Sequence, residues 1–408
     1  MKTVWKYCVV FVGLIAGYLL FGILANLLPN QPIEDNIKRT LEMGDLADDV
    51  SYAIANTKKL YTDNYTDALI LNQACNGGRD SLMTSILLVP RLLDTLQPRP
   101  MGDIPECGSL HRVVDHDASL TKVYYGRYWH GSTFLMRCLL QITDYTTLRL
   151  VFYVLSSLLL LWVCVALYRR VNVLIAASYI LSLLLVNVFL MQLSIQFIPV
   201  LVLTLGTTLW VLYRVKTSGQ MIMTMFVTGS LLAYFDLLTC PMLIWGMPLC
   251  IYLVMREEDT FRRSIGTIAA ASATWLTGYG ASWGTKWLIA SALTSQNIIK
   301  DGFNRFSLRA GNDWYFTRWE AITSNLDLVV WPMVGIALLA FVCLAVFRFN
   351  RNGLHRAVLC LLMAFPPLLW YLAASNHSYL HSWFTYHNMA VVLLAMFAAV
   401  SSLVKIKN

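Results

Sequence analysis

After residue 146 the chain is a nearly unbroken succession of apolar runs, and one more such run occupies residues 5–28. A helix needs roughly 20 apolar residues to cross the hydrocarbon core of a bilayer, so this pattern predicts an all-α integral membrane protein. Candidate spans fall near 5–28, 147–168, 171–192, 196–213, 221–237, 240–255, 265–291, 326–347, 357–374 and 389–404, about ten in all. The 221–255 pair is broken at Thr239-Cys240-Pro241, where proline could end a helix or only kink it. Charged residues make up 13% of the chain, against about a quarter in a soluble domain. No room is left for a soluble domain of ordinary size. The first run is too long for a secretory h-region, lacks a small-residue cleavage site, and reads as a retained signal-anchor helix.

Basic residues cluster in alternate connections. Lys2/Lys6, Arg169/Arg170, Arg214/Lys216, Arg256/Arg262/Arg263, Arg348/Arg351/Arg356 and Lys405/Lys407 fall on one side of a ten-span layout. That side holds 14 basic and three acidic residues, against 17 basic and 20 acidic elsewhere. The positive-inside rule then places both termini in the cytoplasm of a multi-pass plasma (inner) membrane protein. The net charge of +8 is explained by these loops and calls for no nucleic acid.

Residues 29–146 become a long, helical, extracytoplasmic first loop, with shorter outer loops near 292–325 and 375–388. Within it, helical patterning covers 33–60 and 65–93, and Leu82 to Asp94 reads as an amphipathic interfacial helix. Pro98, Pro100, Gly102, Pro105 and Gly108 mark a loop, and Phe134–Ile142 is a short re-entrant or interfacial helix. Of nine cysteines, only Cys75 and Cys107 both lie where a disulfide could form in an oxidising compartment.

Several constellations could carry chemistry. Asp63 and Asp67, four apart, share one face if the chain is helical there, and could act as a base or hold a divalent cation. The plainer reading is a helix N-terminus, with Asp63 or Thr66 as the cap and Asp67 complementing the dipole. Glu34-Asp35 and Asp48-Asp49 are further carboxylates. Tyr124 to Gly131 offers stacking faces and the Arg127 fork, or simply an interfacial aromatic belt. Asp236 and Lys286 lie near membrane depth, where ionisable groups are expensive, or nearer the interface with Lys286 snorkelling. His377 and His381 have a helical metal-site spacing without a located third ligand. Arg305, Arg309 and Arg318, with Trp314, Tyr315 and Trp319 among them, could clamp a phosphate or meet anionic lipid.

This layout resembles the GT-C class of membrane glycosyltransferases. The resemblance implies a polyprenyl-phosphate sugar donor, a glycan or lipid acceptor, a membrane-lipid environment and a carboxylate base in the first loop, in some members with a divalent metal such as Mg or Mn. By position the base would be Asp35, or Asp67 or Asp63. Substrate would meet Arg127, Trp129, His130, Asp236, Lys286, His377, His381 and Tyr386. The stretches Asp63–Leu69, Arg127–Gly131, Asp236–Thr239 and His381–Tyr386 also look like a set of bacterial polytopic membrane proteins, a likeness that implies no reaction. A transporter or flippase of a lipid-linked precursor, and a non-catalytic envelope scaffold, are the competing expectations.

Overall fold

A computed structural model of the chain describes residues 2–52, 60–95, 105–256, 260–311, 316–346 and 348–405. It is helical almost throughout. Helix α1 (Lys2–Asn26) leads into the segment predicted to lie outside the membrane, which contains α2 (Gln31–Glu42), α3 (Asn64–Asn76), α4 (Leu82–Leu87), α5 (Glu106–Val114) and α6 (Gly131–Leu139). Two antiparallel ribbons stitch this segment together. Strand β1 (Val50–Tyr52) pairs with β2 (Tyr61–Asp63), and β3 (Arg91–Leu93) with β4 (Thr121–Val123), Arg91 opposite Val123.

The second half is a helix bundle. It runs through α7 (Tyr145–Arg170), α8 (Val173–Leu184), α9 (Val188–Met191), α10 (Ile198–Arg214), α11 (Ser218–Phe235), α12 (Met242–Met255) and α13 (Phe261–Leu293). It continues with α14 (Ile298–Ala310), α15 (Arg318–Leu326), α16 (Val330–Val346), α17 (Leu354–Leu362), α18 (Phe365–Ala373), α19 (Ser375–Leu380), α20 (Ser382–Thr385) and α21 (Met389–Leu403). Side-chain caps start several of them. Asp144 accepts from the Thr147 amide at 2.8 Å, Asn172 from Ile175 at 2.9 Å, and Thr217 with Gln220 forms a reciprocal capping box.

The protein carries several membrane-crossing candidates, but fewer than the ten expected. Among the described residues four helical stretches are long and apolar enough: Val4–Asn26, Tyr145–Arg170, Arg351–Ala373 and Ser382–Leu403. A fifth arises if Arg318–Leu326 and Val330–Cys343, bent by 70°, act as one span. The runs at 171–192, 196–213 and 240–255 fold into helices of 12, 17 and 14 residues. At about 1.5 Å per residue each falls short of a core about 30 Å thick. Helix α12 shows why hydropathy misleads: Met242 through Val254 are all buried by protein, so their apolarity serves the bundle core rather than lipid.

Basic clusters from different connections meet in pairs. Arg170 donates to the Leu212 carbonyl at 3.3 Å and Arg256 to Val215 at 3.4 Å, while Arg348 pairs with Lys405 in a short ribbon of β5 (Arg348–Phe349) and β6 (Val404–Lys405). At mid-bundle, α11 and α13 cross backbone to backbone. A Cβ on Gly229 would strike the Trp275 carbonyl, and one on Gly278 the Phe226 carbonyl, the close small-residue crossing favoured between membrane helices.

The segment between α1 and α7 departs from the sequence pattern where proline intervenes. The expected amphipathic helix over 82–94 ends at Leu87, and the chain turns through Val89 (φ +41°) ahead of Pro90 into β3. Ile86, Leu87, Leu88 and Val89 are buried against α1 and α6 rather than laid on a bilayer. The helix expected over 33–60 covers only 31–42 before giving way to β1, and residues 53–59 lie outside the described residues. One side chain locks the segment to the first helix. Arg137, fully buried, donates to the carbonyls of Ala25, Leu28 and Ala74 and to Asn30, tying the end of α1 to α3 and α6.

Candidate functional site

Asp63 and Asp67 do lie together, but all four of their carboxylate oxygens are engaged. Asp63 caps α3, its Oδ1 accepting from the Thr66 amide at 3.1 Å, and its Oδ2 accepts from Gln196. Asp67 accepts the Ile195 amide at 2.8 Å on Oδ1 and the Tyr145 hydroxyl on Oδ2, with Arg149 3.7 Å away. Arg149 also reaches Asn64 at 2.9 Å and the Leu193 carbonyl at 3.0 Å. Burial pushes the Asp63 carboxyl up to about 7, helped by the neighbouring Asp67 and Asp49 charges. It pushes Asp67 up to about 6, with Arg149 pulling the other way. These two carboxylates bolt α3 to α7 and to the turn before α10.

Asp35 is exposed and accepts from Gln31 at 2.8 Å. Its neighbour Glu34 is buried, ion-paired with Arg79 and 3.5 Å from His116, beside a cavity of about 240 Å³ lined by Arg79, Leu92, Val113 and His116. Cys75 and Cys107 are separate, buried free thiols, so the disulfide considered from the sequence is not formed.

Tyr124 to Gly131 splits into an inward half and a half that faces a cleft. Trp129 is wholly buried, donates to the Ser282 carbonyl at 2.8 Å, and has Lys286 5.2 Å over its ring. Lys286 is buried too, and its ammonium meets the Ile86 carbonyl at 3.1 Å. Neither residue lines the cleft. His130 hydrogen-bonds the Tyr125 carbonyl at 2.7 Å, and burial pushes its imidazole down to about 3, so it is neutral. Tyr386 is a core residue whose hydroxyl accepts from Asn187 at 3.1 Å.

Arg127 and Tyr128 form part of the wall of a cleft of about 400 Å³ between α13, α14 and the end of α18. Leu276, Tyr279, Trp283 and Trp287 of α13 face Phe303 and Phe306 of α14 and Trp370 of α18. Gly280 and Gly284 also line it, and a Cβ on either would meet no atom within 4 Å, so the glycines leave space. Three guanidiniums converge here, those of Arg127, Arg305 and Arg309. Arg127 lies 4.2 Å over the Tyr125 ring and pairs with the half-exposed Asp301 at 3.2 Å; Arg309 donates to the Tyr128 hydroxyl. Among the described residues no carboxylate pairs with Arg305 or Arg309. The Tyr125 phenol senses the excess: burial alone would raise it, yet the Arg127, Arg309, Arg91 and Arg305 charges together hold it below its ordinary value.

Asp236, His377 and His381 sit behind this cluster. His377 and His381 lie with ring centroids 4.8 Å apart, as their spacing suggests. Among the described residues no three His, Cys, Asp or Glu side chains converge to hold a metal ion. Buried polar atoms without partners concentrate here: Asp236 Oδ2, His377 Nδ1, the Tyr279 hydroxyl, and the indole nitrogens of Trp283 and Trp370. Of the expected site residues Arg127 lines the cleft, Asp236, His377 and His381 do not line it but feel the charge of Arg309 on its wall, and Asp35, Asp63, Asp67, Trp129, His130, Lys286 and Tyr386 are engaged elsewhere. The α13 stripe of Tyr279, Trp283 and Trp287 went unread. Its signal is aromatic residues four apart, each of the first two followed by glycine, on one helix face.

No protein-family model matches the chain, and neither a curated protein nor a solved structure is significantly similar to it.

Proposed function

We propose that the protein is a membrane glycosyltransferase that moves a sugar from a polyprenyl-phosphate donor to a glycan or lipid acceptor. The single observation that supports this reading is an aromatic, apolar cleft rimmed by three guanidiniums that have only Asp301 as a described carboxylate partner. A lipid phosphate has the matching form, an apolar chain ending in a concentrated negative charge. Guanidinium forks engage phosphate oxygens in pairs. When the sugar departs, negative charge grows on the bridging phosphate oxygen, and cations already in place stabilise it most where water is excluded. Trp283 and Trp287 supply faces for the sugar or the first isoprene units.

In this reading the basic connections face the cytoplasm, both termini with them, and the segment between α1 and α7 lies outside the inner membrane. Asp63 and Asp67 hold that segment in place, and no step is assigned to a divalent ion. The break between α11 and α12 is also the kind of discontinuity a lipid transporter uses. The two readings differ in covalent product. Purified protein in liposomes, offered a panel of polyprenyl-phosphate hexoses, is expected to yield glycosylated acceptor by mass spectrometry. Arg305→Gln with Arg309→Gln is expected to lower the rate about 100-fold or more. Lipid movement without covalent change, or turnover indifferent to both arginines, would overturn the proposal.

A further inference from the structure

The cations of the cleft are fixed in place by the protein itself. Arg305 and Arg309 lie one turn apart on α14. That helix is seated on α13, where the Trp287 ring fills the space a Cβ on Gly302 would need. Its far end is tied to α19: Asn376 donates to the Leu308 carbonyl at 2.8 Å and Ser375 to the Gly311 carbonyl at 2.6 Å. Arg127 is held through its own backbone, whose carbonyl accepts the Trp287 indole at 2.9 Å. Arg127 and Arg309 then flank one ring, 5.8 and 5.6 Å from the Tyr128 centroid. The aromatic face between them offsets part of their repulsion.

Against these charges stands Asp301, the one carboxylate paired with any of the three among the described residues. It is half-exposed, so water weakens its hold on Arg127. Asp236 lies off the wall, its Oδ1 taken by the Thr239 amide at 2.9 Å and the Thr239 hydroxyl at 2.6 Å. The wall therefore carries a surplus of positive charge. A sugar joined to a lipid phosphate is a phosphodiester with a single negative charge. When the acceptor oxygen bonds to the anomeric carbon, its proton goes to water. The bond from that carbon to the phosphate oxygen breaks, and its electron pair stays on that oxygen. The lipid phosphate left behind is a monoester of charge about −1.5 to −2 at pH 7. Its chain meets the same aromatic wall before and after transfer, so that contact favours neither state. The cations do distinguish the two.

We infer that the cleft holds the released polyprenyl phosphate more tightly than the sugar-bearing donor, so that the lipid product is the protein's own inhibitor. The inference rests on the glycosyl-transfer reading and names what regulates that site. Cations placed to stabilise a departing phosphate meet its full charge only once the bond has broken. Among the described residues lining the cleft no carboxylate repels that charge, and Asp301 beside it competes for Arg127 alone. The cleft then stays occupied until a step that consumes or removes the lipid phosphate draws it off.

Farnesyl phosphate and its methyl ester compare the two charge states on one chain. The ester stands in for the donor phosphodiester and does not titrate between pH 5 and pH 8. In the full-length protein in nanodiscs, farnesyl phosphate is expected to bind at pH 8 about tenfold or more tighter than the ester. The ratio should shrink toward one at pH 5, below the second phosphate pKa of about 6, and should vanish in Arg305→Gln/Arg309→Gln. Tyr125, Tyr128 and Tyr279, together with Asp301, Asp236, His377 and His381, face these guanidiniums from the neighbouring elements. Their titration acts on both probes, so the ratio isolates the ligand. Asp301→Asn, which frees Arg127, is expected to tighten farnesyl phosphate about threefold, a gain that damage to the fold would not produce. In transfer from polyprenyl-phosphate hexoses, farnesyl phosphate should compete with the donor at concentrations about tenfold below the ester. If neither probe outbinds farnesol, the transfer reading falls and the inference with it. If both outbind farnesol but equally at pH 8, or in a ratio unchanged at pH 5, retention of the product is overturned and the transfer reading stands.

Discussion

Replacing Asp67 by alanine should loosen the segment between α1 and α7 from the bundle, and the size of the effect can be worked from its contacts. The substitution removes the acceptor of the Ile195 amide, the acceptor of the buried Tyr145 hydroxyl, and the carboxylate 3.7 Å from Arg149. Breaking a buried ion pair costs roughly 3–5 kcal/mol, because the surviving charge is left uncompensated. Arg149 keeps Asn64 at 2.9 Å, the Leu193 carbonyl at 3.0 Å and Asp45 at 3.5 Å, so the lower end, about 3 kcal/mol, applies. Asp67→Asn retains an oxygen for the Ile195 amide and should lose about 1–2 kcal/mol. At about 2–4 °C per kcal/mol for a large domain, the alanine variant should melt about 6–12 °C lower and the asparagine variant less. Tryptophan-fluorescence melting of the detergent-purified protein at pH 8 measures both. An Asp67→Ala protein that melts with the wild type would refute the structural role assigned to this carboxylate.

Four further expectations follow from the same contacts. Asp63 has a folded pKa of about 7 against an ordinary 3.8, so the folded state takes up its proton first as pH falls. Its contribution is full below the ordinary value and lost as pH rises through about 7, so wild-type melting temperature should gain from pH 8 to pH 5 a component that Asp63→Asn lacks. Lys286→Met should fold and melt at or above wild type, because the buried ammonium has one described hydrogen-bond acceptor, the Ile86 carbonyl, and no described carboxylate; a large drop in melting temperature would contradict this. Gly278→Leu should prevent accumulation of folded protein, seen as loss of the monodisperse peak in size-exclusion chromatography, since the Phe226 carbonyl occupies the space a Cβ needs. Gly284→Leu should leave melting unchanged yet abolish farnesyl phosphate binding in titration, because its side chain would enter the open cleft.

What could be read in advance was what depends on local pattern. The apolar first helix and the polar segment after it follow from hydropathy. The capping role of Asp63 is local too, since Asp-x-x-Thr at a helix start offers an acceptor to the third amide. The span count was not legible, because residues such as those of α12 are apolar for burial in protein, and a hydropathy window treats lipid and protein alike. Asp67 could not be assigned from its neighbours, as its partners Tyr145, Arg149 and Ile195 come from distant chain. Arg137 sits in a short apolar run, and nothing near it in the chain announces that it holds three backbone carbonyls at once. The aromatic stripe beside Lys286 was not legible as a cleft wall, because the residues that face it, Phe303, Phe306 and Trp370, belong to other helices. That stripe adjoins the lysine on α13 and forms a wall of the cleft, while Lys286 turns inward to the Ile86 carbonyl.

The central claim is that this cleft recognises the phosphate of a lipid and not merely its chain. Titrating farnesyl phosphate and farnesol into the purified protein in nanodiscs compares two ligands that differ only in that group. Two charge-assisted hydrogen bonds at about 1.5 kcal/mol each correspond to an affinity ratio of about 100. The account expects farnesyl phosphate to bind tighter by about that factor, with the advantage lost in Arg305→Gln/Arg309→Gln. Equal affinity for the two ligands would contradict it.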